Sequence, residues 1–248
     1  MINIKSQREL EFMQKAGRIV AGAHKAVEQA VRPGVTTKEL DKIAEEYIIS
    51  QGAKPAFKGL YGFPASICTS INEQVVHGIP GLRKLKNGDI ISIDIGAIID
   101  GYNGDAARTI AVGEVDDKVK KLLEIAEQSL YEGIKKAVVG NRLSDISNAI
   151  QTFVESNGFS VVRDFVGHGI GRKMHEEPQV PNFGQPGRGP RLRHGMVLAI
   201  EPMVNMESYE VETLADSWTV VTKDGKPSAH FEHTVAVTDD GPQIFTTL

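Results

Sequence analysis

Two segments of this chain carry a carboxylate at the end of the same kind of run. Leu85-Lys86-Asn87-Gly88-Asp89-Ile90-Ile91-Ser92-Ile93-Asp94 aligns with Leu192-Arg193-His194-Gly195-Met196-Val197-Leu198-Ala199-Ile200-Glu201. In each, a glycine turn leads into an apolar strand that ends in an acid. An ionised carboxylate in such a place is costly to bury unless it is paired or bound to metal. After Asp94 comes Asp100-Gly101, a two-residue hairpin signal. That turn sets Ile99 opposite Tyr102 and Gly96 opposite Asp105. Asp94 and Asp105 then lie diagonally on one face, about 7–8 Å apart at Cα. Acids that close repel unless a cation stands between them.

The second copy repeats the arrangement. Arg108-Thr109-Ile110-Ala111-Val112 matches His233-Thr234-Val235-Ala236-Val237, and Glu232 immediately precedes that later copy. In the alignment Asp105 and Glu232 sit two positions apart, and residues two apart share a strand face. Four carboxylates on one cavity are untenable without divalent cations. Gly167-His168-Gly169-Ile170-Gly171-Arg172 adds an imidazole whose flanking glycines permit close approach. It is a poor phosphate loop, because no Lys-Ser/Thr follows it. Four carboxylates and one imidazole form an O/N site suited to Mn, Fe, Co or Zn. The plainer alternative is two strands ending in solvated acids and a polar hairpin rim.

Elements able to position these groups are legible on both sides. Ser6-x-x-Glu9 is a capping box, and Leu10, Met13, Ile19, Val20 and Val27 support a long first helix that Pro33-Gly34 ends. Thr36-x-x-Glu39 caps a second helix with Leu40, Ile43, Ala44, Tyr47 and Ile48, stopped by Gly52. The later half repeats this with a helix from Lys118 to Val139 and another that Ser144 can cap, carrying Ile146, Ile150, Phe153 and Val154 and stopped by Gly158. Each half is two helices followed by strands, and the strands of both are expected to form one curved sheet with helices on its outer face. Pro181 to Pro190 reads as a surface loop.

Composition sets the outer bounds. The chain has 248 residues, 41% hydrophobic and 24% charged, the profile of a globular protein. A net charge of -4 and pI ≈ 6.0 do not favour nucleic acid or an anionic membrane as main partner. Cys68 is the only cysteine, so no intrachain disulfide forms, in keeping with a reducing, cytoplasmic setting. The opening residues lack signal-peptide character, and no apolar run approaches a membrane span.

Asp94, Asp105, His168, Glu201 and Glu232, in this order and spacing, resemble the dinuclear metal set of the methionine aminopeptidases. Gly167-His168-Gly169-Ile170-Gly171-Arg172, His175-Glu176-Glu177-Pro178, Glu201-Pro202-Met203 and Phe231-Glu232-His233-Thr234 resemble that family's motifs. The resemblance covers essentially the whole chain and is to the type I enzymes in minimal form, without a zinc-binding N-terminal extension or the long helical insertion of type II. It implies an α+β pita-bread (creatinase/aminopeptidase-like) fold. Such a fold has a curved antiparallel sheet, two helix pairs and an internal pseudo-twofold. Residues 1–248 would be one catalytic domain, with halves of about 1–112 and 113–248.

The resemblance also implies roles. Asp105 and Glu232 would bridge two divalent metals, Asp94 would complete one, and His168 with Glu201 the other. A metal-bridging hydroxide would be the nucleophile and Glu201 the proton acceptor. His77 would lie near the scissile peptide and His175 would stabilise the oxyanion. Phe57, Leu60, Phe63, Cys68, Met174 and Trp218 would enclose the substrate's first side chain, with His77 and His175 beside them. Tyrosine is common in the family at the positions of Leu60 and Phe63, and phenylalanine at that of Met174; these changes keep the pocket apolar. His24, His194, His230 and His233 match no catalytic position. The implied activity is removal of the initiator methionine from nascent polypeptides by a cytoplasmic monomer, with the ribosome as a docking partner and neither a nucleic-acid sequence nor a membrane as target. Two alternatives stay open: a proline-specific aminopeptidase or dipeptidase of the same fold, and a non-catalytic peptide-binding module.

Overall fold

Ser6 and Glu9 start the first helix as expected. The Glu9 carboxylate accepts from the Ser6 N–H at 2.9 Å and from its hydroxyl at 2.8 Å, and helix α1 runs Gln7–Glu28. The computed structural model describes residues 2–248. Helix α2, Thr37–Ser50, begins with the reciprocal Thr36–Glu39 pair, with the Glu39 N–H on Thr36 Oγ1 at 3.2 Å and the Thr36 N–H on the Glu39 carboxylate at 2.8 Å.

Two boundaries differ from the sequence expectation. Helix α3 is Asp117–Ile134, not reaching Val139. Beyond it the chain tightens: Lys136 donates to Gly133 O and Ala137 to Ile134 O, three-residue bonds that wind the end down. Helix α4 is Leu143–Ser156 and is capped at Arg142, whose N–H donates to Asp145 Oδ2 at 2.7 Å. Ser144 is used elsewhere. Its hydroxyl donates to Arg188 O and accepts from the Arg188 N–H, pinning the Pro181 to Pro190 loop to the helix.

Strands Ile90–Ile99 and Tyr102–Ala111 form the long hairpin. Its turn residues Asp100 and Gly101 both have positive φ, 53° and 81°, the geometry a two-residue turn requires. The register sets Gly96 opposite Asp105 and Asp94 opposite Ala107. Strand Ile67–Ile71 pairs on the other side, with Cys68 opposite Asp94. Helices α1 and α2 pack on this sheet through Val20, Leu40 and Ile48 against Ile91, Ile93 and Ile95. Gly104 lets α1 lie flat on the hairpin, since a Cβ there would stand 2.8 Å from Ala16 C. Helices α3 and α4 pack through Leu122, Ile146 and Ile150 with Leu198, Val235 and Val237. Those residues belong to a five-stranded sheet ordered Gly241–Ile244, His233–Thr238, Val197–Ile200, Gly167–Gly169, Glu176–Val180.

All strand pairs are antiparallel, but the curved sheet is not one continuous ladder. Among the described residues it is divided into four hydrogen-bonded sheets. The breaks fall at the acids. Glu201 and Pro202 interrupt Val197–Ile200 and Met203–Asn205, and Phe231 and Glu232 interrupt Ser228–His230 and His233–Thr238. Pro202 has no N–H for a ladder. Across the seam the Glu232 N–H donates to Ala107 O at 2.9 Å.

Candidate metal centre and substrate cleft

A cavity of about 990 Å³ opens where the hairpin sheet meets the five-stranded sheet, and Asp94, Asp105, His168, Glu201 and Glu232 all line it. Asp94 and Asp105 come from the two arms of the hairpin, Glu201 and Glu232 from the strand breaks, and His168 from the strand beside Val197–Ile200, opposite Ala199. One donor atom from each of Asp105, His168 and Glu232 falls within 4.8 Å of the others, and the same holds for Glu201, His230 and Glu232. Glu232 belongs to both groups.

The electrostatics call for cations. Burial pushes the Asp94 carboxyl up to about 7 and that of Glu201 up to about 8, and raises Asp105 and Glu232 well above the usual range, with neighbouring acids adding to the last two. Among the described residues, no lysine or arginine pairs with any of the four; the only basic groups within ion-pair range are His168 and His230. Asp94 Oδ1, Asp105 Oδ1 and Glu232 Oε1 are buried with no hydrogen-bond partner. His168 Nδ1 lies 2.8 Å from Gly169 O, so that nitrogen carries the proton. The bare Nε2 then faces Glu201 Oε1 at 3.6 Å and Asp105 Oδ2 at 3.9 Å. A lone pair pointed at carboxylate oxygens is repulsive until a cation lies between them. Divalent metal fits this donor set, in which a carbonyl holds the second nitrogen of the ligating imidazole.

The cleft also has an apolar side, alongside polar lining residues that include Arg172, Lys173, Glu176 and Gln179. Phe57, Leu60, Phe63, Cys68 and Trp218 line it, with the Phe63 and Trp218 rings edge-on at 5.0 Å. Met174 does not reach the cavity surface. It packs behind the wall in the same apolar cluster, where a Cβ on Gly96 would meet Met174 Cε and Phe57 Cε1 at 2.8 Å. Burial drives the Cys68 thiol well up, so it contributes packing rather than a nucleophile. His77 lines the cavity with a left-handed backbone, φ 61°, and its ring is edge-on to Phe165 at 5.8 Å. His175 stands 4.5 Å from the His168 ring and under Tyr61, 5.9 Å away. Burial lowers both histidines, His77 to about 4, and keeps them neutral N–H donors near pH 7.

The remaining histidines divide. His24 donates to Ala106 O, His233 bonds Thr246 Oγ1, and His194 pairs with Asp239 at the surface. His230 lies against Glu201. Sequence reasoning passed over His230, Tyr61 and Phe165 as site residues. For His230 a signal existed, since it stands two positions before Glu232 and residues two apart share a strand face.

Buried acids converging with an imidazole, beside an apolar pocket, define a metallohydrolase of small or terminal substrates. Comparison with known proteins sharpens the class. The model of metallopeptidase family M24 matches residues 11–239. The Clostridium perfringens methionine aminopeptidase is 61% identical over 248 residues, covering all of both chains. The crystal structure of the Rickettsia prowazekii methionine aminopeptidase superposes with a TM-score of 0.98 at 43% identity, covering 99% of this chain and 100% of that one. The prolidase of Pyrococcus horikoshii shares the fold at a TM-score of 0.81 and 25% identity, but this chain spans only 63% of it. The chain belongs to metallopeptidase family M24 and, within it, to the methionine aminopeptidases, and has their pita-bread fold.

Proposed function

We propose that this protein removes the N-terminal initiator methionine from nascent polypeptides by hydrolysing the first peptide bond. The observation that carries the reading is the set of donor-free carboxylate oxygens of Asp94, Asp105 and Glu232, one strand away from an apolar pocket. Two divalent metals, chosen from Fe, Mn, Co and Zn, are read as the resident cofactors. Asp105 and Glu232 would be shared, Asp94 would hold one metal, and His168 with Glu201 the other. Bound metal would supply Lewis-acid activation of water and of the scissile carbonyl.

The chain's own groups do the rest. Glu201 takes the proton released as water attacks. His175 donates an N–H to the carbonyl oxygen as negative charge develops there, and His77 holds the scissile peptide. Cys68 sits opposite Asp94, so a side chain in the pocket leaves its free amine at the acid edge, which limits cleavage to the first residue. The edge-on Phe63 and Trp218 rings enclose the first side chain and so fix where that bond lies.

The same reading makes residues 1–248 one catalytic domain of two related halves, working in the cytoplasm as a monomer, with the ribosome as a docking surface. No described helix is long and apolar enough to cross a membrane. The test is hydrolysis of Met-Ala-Ser and Ala-Pro-Ala by metal-stripped protein reloaded anaerobically with Fe(II), Mn(II), Co(II) or Zn(II). Metal-dependent cleavage of the methionyl peptide alone is expected. Cleavage of the prolyl peptide alone, or of neither, overturns the reading.

A further inference from the structure

One imidazole at the centre has no role in the chemistry above. His230 is 2% exposed, and its Nε2 lies 3.3 Å from Glu201 Oε2. The approach is not aligned as a hydrogen bond, and Nε2 has no other partner. The backbone beneath the ring is held tightly. The His230 N–H donates to Thr109 Oγ1 at 2.9 Å, and Thr109 Oγ1 donates back to His230 O at 2.8 Å. Ser92 Oγ lies 2.8 Å from Thr109 Oγ1 and has room to donate to it, so the hydroxyl is saturated and its direction set. Strand pairing of His230 with Met203 adds a second restraint. A buried donor on so rigid a base, facing one carboxylate oxygen, is suited to orienting that carboxylate.

Glu201 lies between two imidazoles. Its Oε1 faces His168 and its Oε2 faces His230. We infer that His230 is a positioning residue: its Nε2–H donates to Glu201 Oε2 and holds the carboxylate so that Oε1 stays on the His168 side, ready for metal. A modest turn of the carboxylate completes the bond, and such contacts tighten when a site is loaded. Metal ligands commonly depend on a hydrogen-bonded outer partner of this kind. His230 acts through Glu201 and touches no reacting atom.

The inference rests on the metalloenzyme reading, and its test separates the two. Wild type, His230→Leu and His230→Gln, each as the full chain, are stripped by chelation and titrated with Co(II), followed by calorimetry and visible absorption. Leucine removes the donor, whereas glutamine keeps an N–H. His230→Leu is expected to bind Co(II) about 10–100-fold more weakly and to lose kcat with KM little changed. His230→Gln is expected to recover both. The Co(II) spectrum should keep wild-type band positions at saturation in both variants, because no metal ligand is lost. His230→Asn retracts the donor from Glu201 and is expected to bind as weakly as the leucine variant. It serves in place of leucine if that chain does not fold. Co(II) affinity equal to wild type in the leucine or asparagine variant overturns the positioning role, as does a glutamine variant no better than leucine. A spectrum that loses a nitrogen donor in both variants also overturns it, by making His230 a ligand. A wild-type chain that takes up no Co(II) overturns the metalloenzyme reading and this inference with it.

Discussion

Thr234 holds Asp105 by both of its backbone groups. Its hydroxyl donates to Asp105 O at 2.7 Å and accepts the Asp105 N–H at 3.0 Å, so one side chain makes two bonds across the seam between the sheets where a metal-facing acid sits. Thr234 is fully buried. Thr234→Val keeps the shape and strands two buried backbone groups, at about 1–3 kcal/mol each. Urea unfolding should show that loss, and metal affinity should fall with it because Asp105 loses its anchor. Thr234→Ser should restore most of both. A valine variant as stable as wild type would mean that the other bonds across the seam, such as that of the Glu232 N–H to Ala107 O, suffice to hold it.

The shared acids make the second prediction. Asp105→Ala or Glu232→Ala should abolish activity and lower the metal content of the purified protein, because each removes a donor on which the cluster converges. Metal should also stabilise wild type through linkage, by about 2.7 kcal/mol at a metal concentration 100 times Kd, and so raise its melting temperature. Chelator should reverse this. Normal metal content in either alanine variant rules out the shared-ligand assignment.

The hairpin explains why half of this centre was legible in advance. Asp100-Gly101 permits a single tight turn, so the register, and with it the diagonal of Asp94 and Asp105, follows from counting along two strands. Glu201 and Glu232 were found by internal similarity, which needs no geometry. What the residues did not reveal depends on long-range competition. Ser144 has the chemistry of a cap, but Asp145 takes that task and the Arg188 loop claims the serine. The strand breaks at Glu201 and Glu232 arise because the chain must turn acids inward. Periodicity alone therefore predicts an unbroken sheet; it puts His230 on the face of Glu232 but does not show its approach to Glu201. Met174 is apolar and adjacent to His175, yet Gly96 leaves it a place behind Phe57 rather than on the wall.

The two cleft histidines make the third prediction. His77 and His175 line the cavity without belonging to either donor group. Alanine at either should cut kcat by about 10²–10³, the usual loss for one oxyanion-type donor, with Co(II) affinity nearly unchanged. Loss of metal from either variant would move that residue into the ligand set.

Buried His24 gives a pH dependence away from the centre. Burial drives its pKa from 6.5 to about 3, with the Arg108 charge adding to the effect, while its ring donates to Ala106 O at 2.8 Å. The unfolded chain takes this proton near pH 6.5 and the folded chain only near pH 3. Between those values the unfolded state holds more protons, so its contribution is complete above pH 6.5 and is lost as the pH falls toward 3. His24→Gln keeps an N–H donor and does not titrate. Its unfolding free energy should therefore fall less steeply than that of wild type as pH is lowered through this window. Parallel slopes would show that His24 takes up its proton in the folded protein as easily as in the unfolded chain.

The pocket sets the last prediction. Phe57, Leu60, Phe63, Cys68 and Trp218 face the cavity with dispersion, aromatic and sulfur contacts, and the Trp218 backbone N–H is already engaged by Asp216 Oδ1 at 2.9 Å. Of these five side chains only the Trp218 indole and the weakly donating Cys68 thiol carry a hydrogen to offer a polar substrate side chain. Methionine and norleucine are nearly isosteric and should differ little, since an apolar pocket resolves a methylene-sized change by only about 10–200-fold. Methionine sulfoxide should be far worse, because burying its oxygen without a partner costs about 1–3 kcal/mol. Lysine should be rejected more strongly still, since its charge would lose its water against an aromatic wall. The measurement is kcat/KM for four peptides that differ only in the first residue. The expected order is methionine near norleucine, then the sulfoxide, then lysine. A lysyl or sulfoxide peptide cleaved as well as the methionyl one would place the first side chain outside this pocket. Trp218→Ala, which opens the wall beside Phe63, should then leave the order unchanged, whereas under the present assignment it should weaken the preference for methionine.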